Sequence, residues 1–167
     1  MVSILQLTRE PDQRPTITDV PGLEMRHFAG PADIEVWLDL RRRAFARQKL
    51  GVGDWQKSDF EREFLTKSWW RPQAMWFAEA RPPARPPAAI ATVTLARRGS
   101  GPDARPVVHW LAVLPAYRRR GIGRLLVSTL EAAVWDEGGR QVWLETHTAW
   151  TEAARLYESL GYRPAEA

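Results

Sequence analysis

The chain has 167 residues, with 24 basic and 20 acidic side chains, three histidines and no cysteine. That length suits one domain with its own core. The missing cysteine excludes disulfides, thiolate metal sites and a cysteine nucleophile, and a net charge of +4 is too small to argue for a nucleic-acid partner by itself. His27, His109 and His147 show no metal-ligand spacing on one element, so no metal is expected. No stretch approaches the ~20 apolar residues of a membrane span, and "MVSILQLTREPDQ" lacks the basic start and cleavage site of a signal peptide. These features point to a cytoplasmic protein with no membrane partner, monomeric or homodimeric.

Residues 1–22 read as an irregular lead-in with three prolines, in which "VSILQL" is compatible with one extra short strand. A single domain is expected over 23–167. "LEMRHF" (23–28) alternates as a strand. Pro31 suits the first turn of a helix whose stripe is Ile34, Trp37, Leu38 and Phe45. "GVGDWQ" breaks it. Ser58 with Glu61 then has the pattern of a capping box for a second helix through Phe60, Phe64 and Leu65, stopped by Pro72. "AMWFAEA" and "AAIATVTLA" read as strands joined by the surface connector "RPPARPPA". "RPVVHWLAVL" (105–114) is nearly all apolar, so a strand buried on both faces is expected. A helix opens at the Gly-Ile-Gly segment, carries Ile122, Leu125, Leu126, Leu130 and Val134 on one side, and ends at Glu137-Gly138-Gly139. "QVWLETH" is a further strand, "TEAARLYESLG" a short helix stopped by Gly161, and "YRPA" the start of a last strand. The fold class is α/β, or α+β by some schemes, with one mixed sheet.

"AYRRRGIGRLL" (116–126) carries the chemistry. A buried strand ends at Leu114-Pro115, a tight loop follows, and a helix begins near Gly121. The first four amides of a helix lack internal partners, and the helix dipole adds partial positive charge there. A strand–loop–helix of this kind suits an anion. Gly121 and Gly123 allow close backbone approach, and Arg118, Arg119, Arg120 and Arg124 add charge. No Ser, Thr, Asp or Asn occupies the expected N-cap. The Gly-Lys-Ser/Thr ending of a nucleoside-triphosphate loop is missing, and Leu126 stands where a dinucleotide fingerprint has its third glycine.

Arg118-Arg119-Arg120-Gly121-Ile122-Gly123 resembles the Arg/Gln-x-x-Gly-x-Gly/Ala signature of the GNAT superfamily of acyl-CoA-dependent N-acyltransferases. The preceding "WLAVLPAYR" looks like that family's lead-in, and "AARLYESLGY" (153–162) is similar to its A-x-x-LY-x-x-x-GF motif. Two motifs in the right order, with one helix and one strand between them, make the resemblance specific over roughly 23–167. One departure stands out. Many members carry Asn seven residues before the helix tyrosine to help hold pantetheine; Trp150 stands there, beside Thr146, Thr148 and Thr151.

The resemblance implies a mostly antiparallel sheet of about six or seven strands flanked by about four helices. Its fourth and fifth strands, counted from Leu23 and lying at 105–114 and 141–147, would splay. It implies acetyl-CoA as co-substrate in the gap, pantetheine pairing with the backbone of Leu111, Ala112 and Val113, pyrophosphate on the amides of 119 to 124, and Trp150 near the cofactor. It implies transfer to a small-molecule or peptide amine, with Tyr157 protonating the leaving thiolate. The general base is open between His109, Glu145 and water. His109 shares a face with Leu111 and Val113 by strand parity, and Glu145 is an acid in an otherwise apolar strand, where burial raises a carboxyl pKa. Trp37, Trp55, Trp69, Trp70 and Trp76 cluster in the region expected to receive the amine. Two readings compete: a non-catalytic acyl-CoA sensor, and a nucleic-acid-binding module built on the arginine run.

Overall fold

The structure is a computed structural model that describes residues 3–46, 54–81, 83 and 85–166. The expected break at 51–53 and two positions of the Pro/Arg connector, 82 and 84, lie outside the described residues.

Seven strands form one sheet: β1 (Ile4–Arg9), β2 (Leu23–His27), β3 (Met75–Ala80), β4 (Ala88–Arg98), β5 (Arg105–Val113), β6 (Val142–His147) and β7 (Arg163–Pro164). Their spatial order is β2-β3-β4-β5-β6-β1-β7. All neighbours are antiparallel except β5 and β6. The lead-in therefore contributes a strand interior to the sheet, with Gln6 opposite Glu145 and Leu7 opposite Pro164.

Four helices flank the sheet: α1 (Ala32–Ala44), α2 (Lys57–Phe60), which continues into a π-helical turn over Glu61–Leu65, α3 (Ile122–Asp136) and α4 (Thr151–Ser159). Helix α1 is fixed at its start by Asp33, which accepts 2.8 Å hydrogen bonds from both terminal nitrogens of Arg26 and a 2.7 Å bond from the Ala29 amide. Helix α2 starts two residues earlier than its expected box. Asp59 accepts from the Gln56 amide at 2.7 Å, so Gln56 and Asp59, not Ser58 and Glu61, close its first turn. The π turn follows from packing: Phe60 and Phe64 both press on Trp37 of α1, with ring centroids 5.3 and 4.9 Å away.

Strand β5 departs from the uniform burial expected of it, for two reasons. First, β5 and β6 pair only at Val107–Trp143 and Val108–Leu144 and then separate; this is the splay. Second, β5 carries a bulge. Thr92 faces Ala112 while Thr94 faces His109, so Val93 of β4 alone opposes both Trp110 and Leu111 of β5, and Trp110 takes φ +50°. A bulge resets strand alternation. His109 therefore keeps the face of Val107 and Arg105, and parity no longer carries it to the face of Leu111 and Val113, as unbroken alternation predicted.

The segment between β1 and β2 runs along α3 from end to end. Arg14 pairs with Asp136 at 2.8 Å, the Thr18 amide donates to Ser128 Oγ at 3.0 Å, and Val20 lies beside Gly121. Beneath it Arg9 pairs with the buried Glu131. Burial pushes that carboxyl's pKa up, against the opposing pull of Arg9.

Candidate active site

A cavity of about 280 Å³ opens at the splay, lined among others by His109, Trp110 and Leu111 of β5, Glu145 and His147 of β6, and Tyr157 of α4. Val108 and Thr146, whose side chains have the opposite strand parity to His109 and His147, also line it, so the cavity reaches through the sheet. The β5 edge from His109 to Val113 faces the gap left by β6. An extended ligand can pair with such an edge as an added strand.

The edge leads into the arginine-glycine loop. A turn of 3₁₀ helix over Pro115–Tyr117 directs the chain away from the sheet. Arg119 and Gly121 take left-handed conformations, φ +61° and +82°, and α3 begins at Ile122. Among the described residues none accepts from the amides of 119 to 124; the first such bond is from the Leu125 amide to Gly121 at 2.9 Å. A run of amides without acceptors at the start of a 15-residue helix fits the phosphate oxygens of CoA.

The loop's side chains divide their work differently from the expectation. A Cβ on Gly121 would meet only Val20, at 3.7 Å, so its positive φ, not lack of space, is what calls for glycine there. A Cβ on Gly123 would meet Leu156 Cδ2 at 2.9 Å; this glycine lets α4 approach α3. Arg118 donates to the Val113 carbonyl at 3.1 Å and the Ala44 carbonyl at 2.7 Å, tying β5 to the end of α1. Arg124 donates to Ser159 Oγ at 2.8 Å. Arg119 is highly exposed, 4.0 Å from Glu152, and Arg120 sits over the Tyr117 ring. Ile122 is buried in the core.

Tyr157 is 7% exposed and lines the cavity, its ring 5.9 Å from that of Tyr162. Burial pushes its hydroxyl pKa well up, so the proton stays on the oxygen at neutral pH. Trp150 begins α4 and stacks with Phe45 at 6.0 Å, and its indole Nε1 is buried with no partner among the described residues. Thr146 Oγ1 and His147 Nδ1 are likewise buried without partners in the cavity wall. These polar atoms suit a ligand rich in amide and carbonyl groups, which is the chemistry of pantetheine.

Two base candidates fare differently. His109 Nε2 lies 2.9 Å from Glu63 Oε1 in the π turn. The bond from His109 is the largest cause holding the Glu63 carboxyl below its usual range, and desolvation opposes it. With an ionised acceptor there, Nε2 carries the hydrogen, leaving Nδ1 as the basic nitrogen of a neutral ring. Glu145 is exposed, with Gln6 Nε2 at 3.5 Å, so the burial on which its candidacy rested does not occur. Glu63 was missed from sequence because nothing in "FEREFL" marks one glutamate as facing a strand 46 residues on.

The expected tryptophan pocket is mostly wall. Trp37 is 1% exposed, and Trp76 lies against α3 in a separate hollow. Trp69 and Trp70 pack on Phe64. Trp110 links the wall to the cavity: it touches Trp37, Trp55 and Phe45, and with Trp55 it sandwiches the Arg41 guanidinium at 5.1 and 4.2 Å.

Residues 34–162 match the model of the Acetyltransferase (GNAT) family. The chain belongs to that family. It is 32% identical over 158 residues to the mycothiol acetyltransferase of Thermobispora bispora, which covers 90% of this chain and 52% of that protein. The chain thus spans about half the length of this curated relative. A GCN5-related N-acetyltransferase from Sphaerobacter thermophilus has the same fold, with TM-score 0.76 and 18% identity over 97% of this chain and 48% of that one. An aminoglycoside N-acetyltransferase in complex with CoA superposes with TM-score 0.63 and 19% identity, over 87% of this chain and 90% of that one. Among the described residues no group of His, Asp and Glu suits a metal ion, and no helix is long and apolar enough to cross a membrane.

Proposed function

We propose that this chain transfers an acyl group, acetyl in the first place, from acyl-CoA to a primary amine by direct attack. One observation carries this reading. The open edge of β5 runs continuously from the cavity that holds His109 and Tyr157 to the amides of 119–124, which have no acceptor among the described residues. A thioester, a pantetheine chain and a pyrophosphate follow that same order. The mycothiol acetyltransferase that this chain resembles is, by its name, an enzyme that transfers an acetyl group, which agrees with this reading.

Bound acyl-CoA supplies an activated acyl carbon and a thiolate leaving group. The backbone of Leu111, Ala112 and Val113 orients it, and an amide at the bulge polarises the thioester carbonyl. Trp150 supplies the indole N–H that replaces the carboxamide donor common in the family. The proton of the incoming ammonium goes to His109, whose tautomer Glu63 fixes; His109 acts as base and Glu63 as its positioning residue. The nitrogen–carbon bond forms, the carbon–sulfur bond breaks, Tyr157 donates its hydrogen to the departing sulfur, and the second proton on the acylated nitrogen restores the Tyr157 hydroxyl. A buried phenol is a weaker acid than usual, but the same dry surroundings make the thiolate a stronger base. Glu145 stays near the cavity mouth, where its charge attracts the ammonium.

The test is a thiol-release assay with acetyl-CoA across a library of primary amines, beside calorimetric binding of acetyl-CoA. Amine-dependent thiol release is expected. Binding with no release for any amine would favour the sensor reading, and salt-sensitive DNA binding with no CoA binding would favour the nucleic-acid one.

A further inference from the structure

Arg98 at the end of β4 and Arg105 at the start of β5 stand directly opposite each other in the ladder. Like charges so placed repel. Their neighbour Arg97, on the opposite face, is held by Glu137, whereas Arg98 and Arg105 have no acidic partner among the described residues. Arg105 is nevertheless held in place, its guanidinium 4.2 Å above the Trp143 ring, and Arg98 lines the active-site cavity.

The register shows where this pair lies. Arg98–Arg105, Ala96–Val107 and Thr94–His109 alternate along one face. Through Val107–Trp143 the same face continues into Glu145 and His147 of β6. The arginine pair is thus four residues from His109, about 13 Å along the strand, and on the side away from the phosphate loop. The cavity is ordered by charge. Its lining includes Glu63 and Glu145 near His109 and Arg98 at the far end, and Arg105 stands beside Arg98 in the ladder just beyond.

We propose that Arg98 and Arg105 form a subsite for an oxyanion on the acceptor, so that the acceptor is an amine joined by a spacer on the order of 10 Å to a carboxylate or phosphate. This inference rests on the acyl-transfer reading above and gives that reading its substrate class. The carboxylates attract the ammonium towards His109 while the guanidiniums hold the anionic end, which a planar fork of donors does well. An extended peptide spans the distance in about three residues at roughly 3.3 Å each; a free α-amino acid does not span it.

The test uses glycine oligomers of one to five residues, each as free acid and as C-terminal amide, with acetyl-CoA and the whole chain. A second arm compares Gly-Gly-Ser amide with its O-phosphorylated form, to tell phosphate from carboxylate. The acid-to-amide ratio of kcat/KM is expected near one for glycine and about tenfold to hundredfold at three or four residues, the size of a charge-assisted hydrogen bond. In Arg98→Gln/Arg105→Gln the ratio should fall towards one through loss on the acid form. Melting temperature is read on the same preparation to show that the variant is folded. A ratio near one at every length, or a ratio that survives the double substitution, overturns the subsite while leaving amine transfer standing. Transfer to no peptide of either form, with transfer to other amines, overturns the subsite as well. Transfer to no amine at all overturns the underlying reading and the subsite with it.

Discussion

At one end of the cleft six consecutive residues, 119–124, present backbone amides with no acceptor among the described residues. At the other, Glu63, Arg98, His109 and Glu145 arrive from the π turn, β4, β5 and β6. The first end is local. Its geometry is set by two left-handed residues and a helix start, all within one short stretch. The second end exists only when the sheet is assembled and α1 and α2 have packed on it through Trp37, Phe60 and Phe64. A locally built site depends on conformation; a converging one depends on register and packing. The two should therefore fail in different ways.

The largest effect is expected at Tyr157, where the ends meet. Tyr157→Phe keeps the ring against Tyr162 and removes only the hydroxyl. Turnover should fall by about 10²–10⁴-fold, while acetyl-CoA affinity and melting temperature stay near wild type, because in the proposed role the hydroxyl acts on departing sulfur and not in ground-state binding. Single-turnover rates and melting curves on one preparation check this. Wild-type turnover in a folded variant would assign the leaving-group proton to water.

The local end breaks through conformation. At Gly121, φ +82° is closed to a β-branched residue but tolerated by asparagine. Gly121→Val should turn the neighbouring amides and lower acetyl-CoA affinity by roughly ten- to a hundredfold, the loss of one or two charge-assisted bonds. Gly121→Asn should bind nearly as well as wild type. Equal calorimetric affinity in the valine variant would mean that these amides do not hold the ligand.

This contrast also explains what could be read without coordinates. The loop, α3, α4 and the strand order from β2 onward follow from contiguous signals: apolar periodicity, glycine stops and the spacing of two motifs. The bulge at Trp110 leaves no such mark, because it is set by the mismatch between β4 and β5, and it moved His109 off the face that alternation assigns. Glu63 and the Arg98–Arg105 pair were illegible for the same reason. The interior position of β1, between β6 and β7, was also hidden, since "VSILQL" records a strand but not its neighbours. The bonds of Arg118 to the Val113 and Ala44 carbonyls were illegible too, because a side chain beside a glycine loop can equally reach two carbonyls behind it.

The converging end should fail through packing and pH. Asp33 sets the start of α1, and desolvation raises its carboxyl pKa less than Arg26 and the Ala29 amide lower it. A depressed folded pKa gives stability that is present above the ordinary carboxylate range and lost as pH falls through the folded value. Asp33→Asn should cost about 1–3 kcal/mol at neutral pH. That difference from wild type should shrink as the pH falls through and below about 4, as shown by urea melts at several pH values. A constant difference down to pH 2 would mean that the charge on Asp33 is immaterial. Nearer the chemistry, Glu63→Gln keeps a bond to His109 but loses the carboxylate that fixes its tautomer. We expect kcat to fall about tenfold with the acetyl-CoA KM unchanged. A rise in that KM instead would place Glu63 on the cofactor side.

The smallest effect concerns the arginines, and it separates the ends most finely. Arg118 belongs to both, since it bonds Val113 of β5 and Ala44 at the end of α1. Arg119 and Arg120 are exposed on the loop. Exposed cations contribute little in water and less in salt, so their neutralisation should weaken CoA only a few-fold. If they face the 3′-phosphate, the loss should be larger for CoA than for dephospho-CoA and should shrink as salt rises. Arg118→Gln should instead lower the melting temperature, because two carbonyls lose a charged donor, worth roughly 1–3 kcal/mol. It should affect CoA and dephospho-CoA equally. Calorimetry with both ligands on Arg118→Gln and on Arg119→Gln/Arg120→Gln decides the matter. A CoA-selective loss in Arg118→Gln without a drop in melting temperature would move that side chain from the frame of the fold to the phosphate site, and the division between the two ends would lie one residue earlier in the chain.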